Sequence, residues 1–200
     1  MLWQARQQNR RKSRGTAIVE FVLAATFIYT PLILGTMLVG VNIIRAIQVT
    51  QVNRDAGHMF ARGVDFSATV NQSMLAYVAS GLNLTSDGKS VVNLSAILKV
   101  GPKECPTGCA NLGKTVFTRQ IRLGNTALRA SAYGTPAVNG SGAVVNYLTS
   151  SAAVTTTFDP AVMTLSDGEI AYVAETYYSS SELDLPGFMT GTGVFARGIF

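Results

Sequence analysis

The chain has 200 residues, 48% of them hydrophobic, and carries 16 Lys or Arg against 11 Asp or Glu. Its first 15 residues hold Arg6, Arg10, Arg11, Lys12 and Arg14 and no acid, so they account for the whole net charge of +5 and the remainder is neutral. A neutral, scattered remainder is no electrostatic footprint for nucleic acid, and a basic cluster abutting an apolar run is an orientation signal rather than a phosphate-binding patch.

From Thr16 the apolar run reaches about Ile44, with one carboxylate, Glu20, and no other charge before Arg45. A hydrocarbon core about 30 Å thick needs roughly 20 apolar residues at about 1.5 Å each, and the run exceeds that. The basic flank keeps the N-terminus in the cytoplasm and sends the bulk of the chain across the membrane. A secretory signal also starts basic, but its apolar core spans about 7–15 residues and ends at a small-x-small site. This run is about twice as long and no such site follows, so the helix is expected to be retained. Pro31 removes one helical hydrogen bond and crowds the carbonyl four residues back, which predicts a kink near Phe27–Pro31 that lipid-embedded helices tolerate. Gly35 and Gly40 are small residues in lipid but miss the four-residue spacing of a close-packing pair.

Beyond Arg45, apolar residues recur at Val49, Val52, Ala56, Met59, Phe60, Gly63 and Val64, with Gln48, Gln51, Arg54, Asp55, His58 and Arg62 on the other side. These spacings of three and four predict an amphipathic helix continuous with the first, from about Thr16 to Asp65 and about 75 Å long. A second helix is expected over Thr69–Ser80, with Val70, Met74, Tyr77 and Val78 on one face and Gly81 as C-cap. The period then changes. Val92, Leu94, Ala96, Leu98 and Val100 alternate as in a strand. Phe117, Ile121 and Leu123 mark one face of another, with Arg119 and Arg122 available to solvent. Gly168–Tyr178, after the turn Asp167-Gly168, and Gly193–Phe200 read as the last two. Gly134–Thr157 is rich in small and polar residues and reads as loop, with one weak strand near Val144–Leu148.

The fold class that follows is α+β: a long N-terminal transmembrane helix continuing into an amphipathic helix, packed against a small antiparallel β-sheet. The chain divides into a basic leader (1–15), a transmembrane helix (16–44), an extramembrane helical part (45–82) and a β-rich outer domain (83–200).

Little in the sequence suggests catalysis. It shows no nucleophile–base pair, no carboxylate pair, no phosphate-cradling glycine loop and no metal cluster, so neither enzyme activity nor a cofactor is expected. Cys105-Pro-Thr-Gly-Cys109 has three intervening residues where a redox motif has two. Zinc would need two further ligands, and His58 is the single histidine. A disulfide closing a hairpin loop, stabilising by about 2 kcal/mol, fits the spacing and an oxidising compartment. His58 reads as a solvated residue. The triplets at Asn71, Asn83, Asn93 and Asn139 are chance matches to a glycosylation acceptor.

Glu20 has two readings. Near a helix N-terminus it complements the macrodipole by about 0.3–1 kcal/mol. Deeper in lipid it costs a few kcal/mol unless partnered.

The order Gly15-Thr16-Ala17-Ile18-Val19-Glu20-Phe21, a basic leader before it and an apolar run after it, resembles the processing site of type IV pilin-like proteins. More narrowly, Gly-x-Ala-x-Val-Glu-Phe with Pro31 eleven residues past Glu20 looks like the TadE/TadG-like pseudopilins of tight-adherence pilus machines. Asp55-Ala56-Gly57-His58-Met59-Phe60-Ala61-Arg62 is similar to the segment closing the long helix there. Asp167-Gly168-Glu169 with Val173-Ala174-Glu175-Thr176-Tyr177-Tyr178 resembles a late strand of that family. The resemblance implies that a prepilin peptidase cuts between Gly15 and Thr16, and that Glu20, Phe21 and Pro31 belong to an assembly helix. It implies as partners the peptidase, other pilins or pseudopilins, the inner-membrane assembly platform and membrane lipid. The body is larger than a short helical major subunit, which fits a minor component. An uncleaved single-pass anchor whose outer domain binds an envelope partner is the competing reading. A secreted enzyme would instead begin beyond about Ile44.

Overall fold

The computed structural model describes residues 2–155, 158, 163–179 and 193–200, with side chains from Gly15 onward. The leader side chains from Arg6 to Arg14 lie outside the described set, as do residues 156 and 157 at the end of the expected loop. The chain separates into two compact units, Met1–Ile44 and Arg45–Phe200.

The first helix, α1, spans Leu2–Ala61. It begins well before Thr16, where the sequence placed its start. Gly15 inside a helix costs about 1 kcal/mol relative to alanine, too little to end a helix among the Gln, Arg and Lys residues that precede it. Pro31 lies inside α1 and does not interrupt it. The helix stops at a Schellman arrangement: Gly63 takes φ +85°, its N–H donates to Phe60 O at 3.0 Å, and Val64 N–H donates to Met59 O at 3.0 Å. Met59 and Val64, thus brought together, both pack on the core.

In the second unit, Val49, Val52, Ala56 and Phe60 are buried on one face of α1. They meet Val92, Leu94, Ala96, Ile121, Ala174 and Tyr178 of the sheet. The stripe expected from the sequence is the one that packs, and the sheet is its partner.

A short helix, α2 (Thr69–Val78), follows and gives way to a 3₁₀ turn at Ser80–Leu82. The left-handed residue that ends this turn is Asn83 (φ 52°) rather than the expected Gly81. Asn tolerates that conformation better than most residues. Val70, Met74, Tyr77 and Val78 do share a face, but it is the exposed one; α2 buries Leu75 instead.

Four strands, β1 (Ser90–Lys99), β2 (Thr115–Gly124), β3 (Ile170–Ser179) and β4 (Gly193–Ile199), form one antiparallel sheet in the order β2-β1-β3-β4. β1 is central and buried on both faces from Ser90 to Leu98. Its second face is covered by the 125–155 segment and Phe158, where Tyr133, Val144, Ala153 and Phe158 pack with Ile97, Phe117, Ala171 and Val173. Irregular backbone can serve as a layer if its polar groups are satisfied. Asn111 Nδ2 donates to Tyr147 O (2.8 Å) and Ser150 O (2.7 Å), and Gln120 Nε2 to Gly134 O (3.0 Å). No strand forms at Val144–Leu148. Val144 makes an isolated bridge to Val138 and donates its N–H to Thr118 O at 3.0 Å, and Asn146 turns the chain at φ 57°.

β2 departs from simple alternation. Ala96 pairs with Arg119 but Ile97 pairs with Phe117, so Thr118 is an extra residue. This bulge reverses the parity of the strand: Phe117 faces the irregular layer while Ile121 and Leu123 face α1. The three were expected on one face. Arg119 and Arg122 also have partners. Arg119 donates to the Asp65 carboxylate beyond the end of α1, and Arg122 Nε donates to Asn93 Oδ1 at 3.1 Å.

β2 ends at Gly124, where φ is +85° and an added Cβ would lie 2.4 Å from Ser90 O. The left-handed backbone alone costs an alanine about 1–2 kcal/mol, and here backbone must also move. Gly124→Ala is expected to destabilise by about 2–4 kcal/mol, read from the midpoint of urea unfolding at unchanged slope.

Candidate functional site

The residues singled out in the sequence fall into two groups, one in each unit. Gly15, Thr16, Glu20, Phe21 and Pro31 all lie on α1 in the first unit and are all exposed. Phe21 is 70% exposed, and Ile18, Val19, Val22 and Leu23 beside it are more than half exposed. An 18-residue window of this helix reaches a mean hydropathy of 2.0 with none of it buried. A helix long and apolar enough to span a membrane is therefore present near the N-terminus. An added Cβ at Gly15 meets nothing within 4 Å. Its lack of a side chain is thus no packing requirement of the fold.

Cys105 and Cys109 sit in the connection between β1 and β2 and are joined, with their Cα atoms 5.9 Å apart. Cys105 is buried against Val100 and Val116 in the second core cluster, so the linkage ties the hairpin loop to the sheet. His58 is exposed on α1, and its ring meets the Phe200 ring edge-on at 4.7 Å.

Arg45 was noted in the sequence only as the charge that ends the apolar run. Its guanidinium donates to Gly81 O and to Gln48 Oε1 (2.9 Å) and lies 5.3 Å from the centre of the Tyr178 ring. It fastens the 3₁₀ turn after α2 to α1 at the start of the second unit. The only hint in the sequence was its position as the first charge past the run.

A second polar centre was missed altogether. Glu175 on β3 has a side chain 1% exposed, and its carboxylate accepts from Arg197 Nη2 and Nε, both at 3.1 Å, and from Ala132 N–H at 3.2 Å. Arg197 also lies 4.9 Å from the centre of the Tyr133 ring. Glu175 shares a face of β3 with the buried Ala171 and Val173, and period alone marks such a residue as solvent-facing.

Asp65 accepts from Ser67 N–H (3.0 Å), Ser67 Oγ–H (2.7 Å) and Arg119. The Ser67 bonds first, then Arg119, hold its carboxyl below the ordinary aspartate range. A depressed carboxyl contributes its stability in full above the ordinary pKa and loses it as pH falls through the depressed one. Ser67→Ala is expected to raise the Asp65 midpoint in a carboxyl-resolved NMR titration and to shrink the stability lost as pH falls from the ordinary to the depressed value.

Among the described residues, no three His, Cys, Asp or Glu side chains converge as metal ligands do. No family model, no curated protein and no solved structure matches the chain.

Proposed function

We propose that the chain is a minor pilin or pseudopilin of a tight-adherence type machine, acting by assembly rather than catalysis. It is inserted with its basic leader in the cytoplasm and cut by a prepilin peptidase between Gly15 and Thr16. It then joins other pilins through residues 16–44, at the assembly platform of a bacterial inner membrane. The outer unit is displayed in the periplasm or at a pilus tip.

The observation that carries this reading is an apolar helix with no buried residue in its spanning window, with one carboxylate near the start of the apolar run, on a chain whose other unit folds around its own core. A helix meant for lipid alone gains nothing from a carboxylate past its first turn. Cleavage would free an α-amine on Thr16, about 6 Å of helix from Glu20, as a partner for that carboxylate on a neighbouring subunit. The helical backbone at Gly15 adds one requirement. A peptidase that binds extended substrate must first unwind Ser13–Thr16, and glycine lowers that cost by about 1 kcal/mol relative to alanine.

N-terminal sequencing of the protein from cells containing the cognate peptidase tests the proposal, which requires a start at Thr16. Glu20→Ala is expected to lower co-purification with other pilins at least tenfold, about 1.4 kcal/mol of lost pairing. Unchanged co-purification would sink the pairing. The continuity of α1 through Gly15 favours a second reading, an uncleaved single-pass anchor, and an intact Met1 would establish it.

A further inference from the structure

Where β3 ends and β4 begins, arginines gather on aromatic rings. Tyr177 and Phe195 pair across these strands, two residues from the Glu175–Arg197 pair and so on the same face. The guanidinium carbon of Arg129 lies 4.1 Å from the centre of the Phe195 ring and 5.4 Å from that of Tyr177. That of Arg197 lies 5.3 Å from the centre of the same Phe195 ring. An arginine that merely shelters its stem lifts its charged head into water, whereas the head of Arg129 itself rests on the rings. Its backbone is held as well, because Arg122 Nη2 donates to Arg129 O at 3.2 Å and to Thr126 O. Arg129 is nevertheless exposed, and among the described residues its guanidinium has no carboxylate partner and no hydrogen-bond acceptor. Glu175 pairs with Arg197, while Arg122 meets carbonyl oxygens and the Asn93 amide oxygen. Positive charge is therefore in excess at this corner.

We infer that the corner is a docking surface for an acidic segment of a partner protein, with one Asp or Glu carboxylate held by Arg129. A guanidinium presents parallel N–H groups that match the two oxygens of a carboxylate. Holding it on the rings beforehand removes part of the ordering cost of binding. Arg, Tyr and Phe are also residue types that the centres of protein interfaces favour. Nucleic acid is a poorer match, because the chain beyond residue 15 has no net charge and supplies no extended basic field. The inference goes beyond the pilin reading and does not depend on it: an intact Met1 would remove that reading and leave this surface in place.

The experiment is photo-cross-linking of the full chain, in non-ionic detergent, to an end-blocked hexaglutamate peptide that carries a diazirine. Mass spectrometry maps the adducts, and one is expected within residues 126–133 or 194–197. Arg129→Gln is expected to lower its yield at least about tenfold, and Arg129→Lys, which keeps the charge but not the fork, at least about threefold. Adducts on the basic leader report unspecific attraction and are expected to stay unchanged in both variants. No adduct at the corner, a yield that Arg129→Gln leaves unchanged, or full yield in Arg129→Lys would overturn the inference. So would loss of the corner adduct in inorganic phosphate at a concentration at which acetate leaves it intact, since that would assign the corner to phosphate groups.

Discussion

Phe60→Ala is expected to destabilise the second unit by about 3–5 kcal/mol, the largest effect of any single truncation on α1. Phe60 is 3% exposed and closes the top of the stripe that faces the sheet. Its ring also meets Tyr172 edge-to-face, with centroids 5.7 Å apart, a contact that adds to area burial. The neighbouring turns are fixed by the sheet on one side and by the helix's own hydrogen bonds on the other, so collapse into the vacated space is limited. At about 2–4 °C per kcal/mol for a unit of this size, the melting midpoint falls by about 6–20 °C. Tyr77→Ala removes an aromatic ring of similar size from α2, but that ring is exposed, and its effect is expected within about 0.5 kcal/mol. Scanning calorimetry of the full chain in detergent checks both. A Phe60→Ala shift no larger than that of Tyr77→Ala would show that α1 does not share the core of the sheet.

Arg197→Met is expected to cost about 2–4 kcal/mol. Removing one partner of a buried pair typically costs about 3–5 kcal/mol, because it strands the other charge. Arg197 is itself 36% exposed, so water relieves part of that penalty here. Among the described residues, what remains at Glu175 is a backbone donor, Ala132 N–H. The double variant Glu175→Leu, Arg197→Met strands no charge and is expected to be more stable than Arg197→Met alone. A double-mutant cycle measures the difference, and additive effects would show that the two side chains do not act as a pair.

These effects fall on features of unequal legibility in the sequence. The inner stripe of α1 was readable because Val49, Val52, Ala56 and Phe60 follow helical spacing and the sheet accepts all four. β1, β3 and β4 were placed to within about two residues by alternation and by the turn at Asp167-Gly168. Leu75 was not readable as the inward residue of α2, since hydrophobic periodicity selects the densest apolar stripe and the densest stripe of α2 faces outward. Phe117 was assigned the wrong face because a period of two has no place for an added residue at Thr118. The layer over the second face of the sheet went unseen because its core residues, from Tyr133 to Phe158, are scattered singly and carry no period. In the candidate site, Gly15, Glu20 and the apolar run stand together in sequence and needed no fold to be found. The Arg45 anchor and the Glu175–Arg197 pair join residues 22 or more apart and needed the fold to appear.

The added residue at Thr118 also acts as a key. A plain ribbon can slide past its neighbour by two positions and keep every side chain on its proper side. Here such a slip would carry the irregular step away from the Ala96–Ile97 junction and turn a greasy residue outward on one flank or the other. The hairpin therefore has one mesh rather than several, and the folding chain meets fewer wrong alignments on the way to the right one.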